Sequence, residues 1–268
     1  MARAHQWRPL PDRAIAARCP QAKGRSESVR MLIRLIRDIW KSRDATISPA
    51  PGEGTPAANY SPDLFDAGDL EAAKAVILNP APDMTTAERW EIETQRLASE
   101  FGRTMMLDRD SRVLDYGCGV GRIGKALIER YGCSVVGVDI SADMRRLARE
   151  YVKSERFVAC DPEALERMVA EGFSATHACA CWVLQHCEAP GEDIARIESA
   201  LAPEGHFFVL NSNYRWVPTD RGWAADGISV EELLRARFHS VAKTGVSHLV
   251  VSPTVAGQSY AMLLKKKR

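Results

Sequence analysis

The sequence predicts an α/β fold, a doubly wound and mostly parallel sheet with helices on both faces. Two observations carry this reading. From about residue 61 onward, short apolar runs alternate with stretches of helical period, the pattern of a parallel sheet covered on both sides. Three successive strand candidates also end in an aspartate, Asp115, Asp139 and Asp161. Ligands in such sheets bind outside the carboxyl ends of the strands.

The chain divides at about residue 60. Residues 1–43 hold eleven Lys and Arg against three acids, a net of +8, so the remainder of this +1 chain sums to −7. A basic leader on a mildly acidic body argues against a nucleic-acid-binding core. Residues 1–27 lack the apolar core of a secretory signal. Their Arg-rich, acid-poor composition suits a disordered tail, a true start at Met31 or an organelle transit peptide. Ser28–Arg43 has helical period, with Val29, Leu32, Ile33, Ile36 and Trp40 on one face and Arg30, Arg34, Arg37 and Lys41 largely on the other. Such a helix docks on its own domain, on a partner or on an anionic membrane surface. Residues 44–60 form a Pro/Gly/Ala-rich linker. Seven cysteines without a C-x-x-C pair read as reduced thiols and a cytoplasmic protein, and no apolar run reaches the length of a membrane span.

The folded body opens with two helices. Ser61-Pro62 caps the first, which runs to about Leu78 before Asn79-Pro80-Ala81-Pro82 breaks it. Thr85 and Glu88 form a capping box for the second, which runs to Phe101 and stops at Gly102. Val113 and Leu114 then make a strand ended by Asp115, and Gly117, Gly119 and Gly121 follow as a glycine turn. Arg122–Tyr131 is a helix with Gly132 as its stop. Ser134–Val138 is the second strand, ended by Asp139, and Ser141–Tyr151 the helix after it. Arg156–Cys160 is the third strand, and Asp161-Pro162 caps the next helix. His177–Trp182 is the fourth strand, Pro190–Leu201 a helix, Pro203-Glu204-Gly205 a turn and His206–Leu210 the fifth strand. Ser229 and Glu232 start a further capped helix. Phe238–Thr244 and Ser259–Leu264 complete seven strands.

Strand, glycine turn and helix N-terminus together let backbone amides approach a ligand. Gly119, Gly121 and Gly124 also spell G-x-G-x-x-G, with Asp139 some twenty residues past Gly119, as a dinucleotide site requires. The carboxylate of Asp115 decides between ligands, because it would repel a pyrophosphate and favour a cation. The run Asp115-x-Gly117-x-Gly119-x-Gly121 resembles the first motif of the class I S-adenosylmethionine-dependent methyltransferases, in their small-molecule branch. The resemblance covers residues 61–264 and extends to a domain at 61–268. It implies a Rossmann-like seven-stranded sheet with an antiparallel last strand, and N-terminal helices at 61–102 acting as a lid.

The resemblance also implies roles for residues. Asp115, Gly117, Cys118, Gly119 and Gly121 would cradle the cofactor. Asp139 would accept its ribose hydroxyls, with Ile140 and Met144 beside it, although an acid there also serves NAD enzymes or a plain helix cap. Cys160, Asp161 and Pro162 would meet the adenine, with helix capping by Asp161 compatible or alternative. Cys181, Trp182 and Val183 would flank the methionine portion. His186 is a candidate general base and equally a packing histidine, Gln185, Tyr214 and Trp216 are candidate substrate contacts, and Trp223 crowds the same loop. Arg122 reaches either the cofactor carboxylate or solvent. His177, Cys179, Cys181, His186 and Cys187 do not have the spacing of a metal site. Signatures resembling nucleic-acid or protein-glutamine methylation are absent after the fourth strand, which leaves a small-molecule O, N or C acceptor. An NAD(P)-dependent oxidoreductase and a non-catalytic cofactor-binding scaffold are the rival readings.

Overall fold

A computed structural model describes residues 59–78, 84–248 and 250–267. The amphipathic helix expected at 28–43, nearly all of the linker to residue 60 and the helix break at 79–82 lie outside the described residues.

The chain enters along a 3₁₀ turn, Pro62–Phe65, and two helices, α1 (Leu70–Ile77) and α2 (Thr86–Met105). Alternation follows: β1 (Arg112–Tyr116), α3 (Arg122–Tyr131), β2 (Ser134–Val138), α4 (Ala142–Val152), β3 (Phe157–Cys160), α5 (Pro162–Ala170), β4 (Ala175–Cys181), α6 (Pro190–Ala200) and β5 (Leu201–Ser212). A hairpin of β6 (Val217–Thr219) and β7 (Gly222–Ala224) precedes α7 (Val230–Arg237), β8 (Phe238–Gly245), α8 (Pro253–Gly257) and β9 (Ser259–Lys266). The sheet has seven strands in the order β3-β2-β1-β4-β5-β9-β8. β1 to β5 run parallel, and the last strand in the chain, β9, lies antiparallel between β5 and β8. The strand order reverses between β1 and β4, so the binding crevice of the fold opens at their carboxyl ends.

The period of two along β1 sorts its side chains. Leu114 and Tyr116 join the core against α6 and α7, with Ile194, Ile197 and Leu234. Val113 faces the other core, with Leu97 and Phe101 of α2 and Leu127 of α3. Asp115 shares that second face. A third cluster joins Ala73 of α1 and Trp90 of α2 to Val120, Met144 and Leu147.

Several local expectations shift. The first helix is split: Ser61 bonds to Asp63 rather than capping, and Asp69 caps α1 by accepting from the Ala72 amide. Gly102 does not stop α2. The helix continues to Met105 and closes on Met106 in the left-handed region, and a methyl group at Gly102 would lie 2.1 Å from the Tyr131 ring. This glycine provides clearance for α3. Pro203-Glu204-Gly205 is no separate turn. It forms an irregularity inside β5, where the register against β4 shifts between Ala175 and His177, with Glu204 at φ 64°.

Helix propensity favours alanine over glycine by about 1 kcal/mol, whereas overpacking costs about 1–3 kcal/mol. At Gly102 the second effect wins. Urea denaturation of Gly102→Ala should show a loss in that range, largely recovered by adding Tyr131→Ala.

Candidate functional site

The glycine turn follows β1 directly. Gly117, Gly119 and Gly121 hold φ of 74°, 53° and 74°, a region that side chains other than glycine rarely adopt. A methyl group at Gly117 would strike Val183 at 2.3 Å, and one at Gly119 would strike Ile77 at 2.9 Å. The loop after β4 and helix α1 therefore rest on bare backbone from two sides. Gly121 caps α3 without a side-chain bond, so the first-turn amides of α3 are not satisfied by a capping side chain.

Asp115 lies beneath this turn with 2% of its surface exposed. Its Oδ1 accepts from the thiol of Cys179, its register partner on β4, at 3.6 Å. Oδ2 is buried without a hydrogen-bond partner among the described residues. Burial raises the Asp115 pKa from 3.8 to about 6, with the Cys179 thiol, the nearby Gly124 amide and Arg122 pulling it back. Arg122 does not reach solvent. It is buried, bonds to Thr94 at 3.4 Å and lies 5.3 Å from the Trp90 ring centroid. Beside it, Arg89 and Glu93 of α2 form a buried ion pair at 2.8 Å, and Glu93 also accepts from the Ser252 amide. Arg89 and Glu93 recur at i, i+4 on the apolar face of α2. That sequence signal of a buried pair is absent from the expectations above.

Asp139 ends β2 with both carboxylate oxygens on backbone: Oδ2 accepts from Gly119 at 2.8 Å and Oδ1 from Ser141 at 3.0 Å. It thus ties the glycine turn to the start of α4. Burial raises its pKa and the two amides oppose that. Ile140 stands 46% exposed, an apolar face at the strand end. The Met144 and Cys118 side chains are buried. Met144 packs with Trp90 and Leu147, and the Cys118 sulfur lies against Gly137. Cys160 offers its carbonyl to the Asp139 amide. Asp161 caps α5 by accepting from Ala164 at 2.7 Å, with Pro162 as the first helical residue. Arg145 lies 3.8 Å from Asp161 and donates to the carbonyls of Asp139 and Ile140.

The loop after β4 is pinned at each step. Trp182 sits at φ 53°, strained for a non-glycine residue, and its indole donates to Ser259 at 3.0 Å. The ring is thereby committed to β9, while Val183, its neighbour, covers the turn. Cys181 lies on the face of Asp115 and Arg122, its thiol pushed up to about 12 by burial. Gln185 accepts the Ser212 amide through Oε1 at 2.7 Å, which turns its NH₂ toward His186 Nε2 at 3.1 Å. His186 Nε2 is then an acceptor, and Nδ1 carries the proton that it donates to the Trp216 carbonyl at 2.6 Å. This histidine ties loop to hairpin; general-base action would require its Gln185 contact to open. Tyr214 is exposed, and Trp216 uses its backbone on Gln185 and His186. Two aromatic residues complete this side. Phe65 and Trp223 of β7 pack against His186 with tilted rings, at centroid distances of 5.8 and 5.3 Å.

A carboxylate below a left-handed glycine turn at the switch point, and a second one clamping that turn, define a class I nucleotide-type binding fold. Residues 114–209 match the family described as "Methyltransferase domain". Trans-aconitate 2-methyltransferase of Paracidovorax citrulli is 34% identical over 136 residues, 50% of this chain and 51% of that protein. A ubiquinone biosynthesis O-methyltransferase of Xylella fastidiosa is 32% identical over 105 residues, 38% of this chain and 42% of that protein. The chain thus spans about half the length, or less, of these relatives. Geranyl diphosphate methyltransferase, solved in complex with SAM, shares the fold with a TM-score of 0.51 and 14% identity, over 81% of this chain and all of that one. The family match thus runs from β1 into β5, and the solved structure shares the fold. Among the described residues, no helix is long and apolar enough to cross a membrane.

The Asp115 shift has a stability consequence. The folded protein holds that proton up to about pH 6, against 3.8 for the ordinary carboxyl. Stability therefore falls as pH rises through this window, by on the order of 3 kcal/mol in total. Asp115→Asn should flatten that dependence and raise the melting temperature of the ligand-free protein at pH 7 by a few degrees; a lower melting temperature would show the carboxylate to be net stabilising.

Proposed function

We propose that the protein transfers a methyl group from S-adenosylmethionine to a small molecule. The single observation that carries the reading is the unpartnered Oδ2 of buried Asp115 beneath the glycine turn. A buried anion with a free acceptor oxygen suits a ligand that brings a cation and repels one that brings a pyrophosphate. This favours S-adenosylmethionine over NAD, and the residues present fit it. Asp115 would face its ammonium group. Asp139 retains acceptor capacity for ribose hydroxyls beyond the two amides it holds, since an ionised carboxylate offers about four lone-pair sites. Ile140 offers the exposed apolar face for the adenine. The relatives' names and the methyltransferase family support the same cofactor.

The cofactor, when bound, supplies a methyl group already activated on a cationic sulfur. What remains for the chain is alignment and exclusion of water. Ile77 of α1 and Val183 after β4 cover the turn with apolar surface. The Gln185–His186–Trp216 chain fixes the loop that faces the acceptor side. Ser141 donates to Asp66 at 2.6 Å, fastening the entry segment of the lid beside Asp139.

Calorimetric titration tests the reading. S-adenosylmethionine and S-adenosylhomocysteine should bind at micromolar levels or tighter, and NADH should not. Asp139→Ala should weaken binding about ten- to a hundredfold, the worth of a hydrogen bond to a charged group. Affinity should fall about tenfold per pH unit below about 6 as Asp115 takes up its proton. Preference for NADH would sink the proposal.

A further inference from the structure

The segment 59–66 is built into the site rather than trailing from it. Tyr60 forms a β-bridge with Thr219, the Ser61 amide donates to Pro218, and Asn59 bonds to Asp220 twice through its amides. That end is fastened to the β6–β7 hairpin. The other end is fastened beside the cofactor acid, through Asp66 and Ser141. Between the two anchors, Phe65 packs on His186 and on Trp223, at 5.8 and 6.3 Å between centroids. The segment therefore spans from the ribose end of the site to the loop and hairpin on the far side.

Tyr60 is half-buried in this span, and its hydroxyl makes no hydrogen bond among the described residues. Burial holds its pKa far above 10, and Cys187, Asp193, Glu188 and Asp139 all push the same way. The phenol therefore keeps its proton and can only donate or accept a hydrogen bond, never act as a base near neutral pH. The acids nearby bear on what it can meet. A polyanionic acceptor would face Asp139, Asp193 and Glu188, while the neighbouring cations are already engaged. Arg215 is buried on Asp226 and on the carbonyls of Leu184 and Glu188. Arg196 is taken by Glu166 and Asp193, and Arg145 by backbone carbonyls.

We propose that Tyr60 is an acceptor-binding residue, its hydroxyl donating to the reactive oxygen of an uncharged aryl alcohol whose ring packs against Phe65 and Trp223. This rests on the methyl-transfer reading and adds the acceptor class to it. Flat apolar rings suit the aromatic pair, and an uncharged hydroxyl avoids the cost of bringing a carboxylate among carboxylates. The proposal separates this chain from what the name of its trans-aconitate-methylating relative implies, despite their identity of 34%.

The test uses the full chain saturated with S-adenosylhomocysteine, whose own binding is measured first. Catechol, its saturated analogue cyclohexane-1,2-diol and trans-aconitate are then titrated, with indole emission and calorimetry as readouts. Catechol should bind at least tenfold more tightly than either of the others. Tyr60→Phe, which keeps the ring and its packing, should weaken catechol about five- to tenfold, the worth of one neutral hydrogen bond, with cofactor affinity and melting temperature unchanged. Trans-aconitate binding ahead of catechol, or an unchanged catechol affinity in Tyr60→Phe, overturns the acceptor proposal alone. Failure of S-adenosylhomocysteine to bind removes the cofactor reading and this one with it.

Discussion

The site depends on one costly arrangement, a carboxylate buried at the switch point of a parallel sheet. Asp115 is placed there by strand geometry, because the period of two that sends Leu114 and Tyr116 toward α6 must send Asp115 toward α2 and α3. Its charge then has to be managed by what that face offers. The face supplies the Cys179 thiol, the first turn of a helix without a capping side chain, and the guanidinium of Arg122 held against Trp90. None of these closes Oδ2. The positive end of α3 and Arg122 lower the cost of ionisation without removing it. A fold organised only for stability would put an apolar side chain here, so the residual cost marks a place where a ligand completes the structure.

The second constraint is that the glycine turn must be both bare and covered. Bare backbone admits close approach, yet bare backbone at a surface is exposed to water. The chain resolves this by resting Ile77 and Val183 on it from elements far apart in sequence, and by holding the turn with Asp139. Asp139 and Asp66 lie on opposite sides of Ser141, whose amide binds one and whose hydroxyl binds the other. The carboxylate that holds the glycine turn and the entry segment are thereby linked through a single residue. A movement of the entry segment away from α4 would break the Asp66 contact to the N-terminus of that helix.

Legibility in the sequence follows the range of the interactions involved. Local signals were read well: the Thr85–Glu88 box caps α2, Gly132 ends α3, Asp161-Pro162 opens α5, and Ser229 caps α7. Each depends on residues within four positions. The mostly parallel seven-stranded sheet and the acids at the carboxyl ends of three strands are legible because alternation and glycine spacing are periodic. What escaped depends on contacts across the fold. Gly102 reads as a helix stop until the Tyr131 ring 29 positions later is known to press on it. Arg122, read as reaching the cofactor carboxylate or solvent, is enclosed by Trp90 and Thr94. The tie of the Trp182 indole to Ser259 joins the loop after β4 to β9 across the fold. The aromatic grouping of Phe65, His186 and Trp223 draws on three separate segments, and no window of sequence contains it.

The proton inventory of the acceptor side fits a reaction in which the leaving group is already activated. His186 holds its proton on Nδ1 for a carbonyl and its lone pair for an amide. Tyr60 and Tyr116 keep theirs, since burial and neighbouring acids raise both. Cys181 and Cys187 stay as thiols for the same reason. Tyr60, Tyr116, Cys181 and Cys187 are thus held in the form that makes hydrogen bonds, and none of these four is poised near neutral pH to take up a proton from a bound hydroxyl. A site that had to generate a strong nucleophile would require such a group. A site that only has to hold a weak nucleophile in line with a strong electrophile requires fixed donors, rigid loops and little water. The clamp from Ser212 through Gln185 and His186 to Trp216 provides the rigidity. Among the described residues, Asp139 is tied to the turn through both oxygens, whereas Asp115 keeps a buried oxygen without a partner.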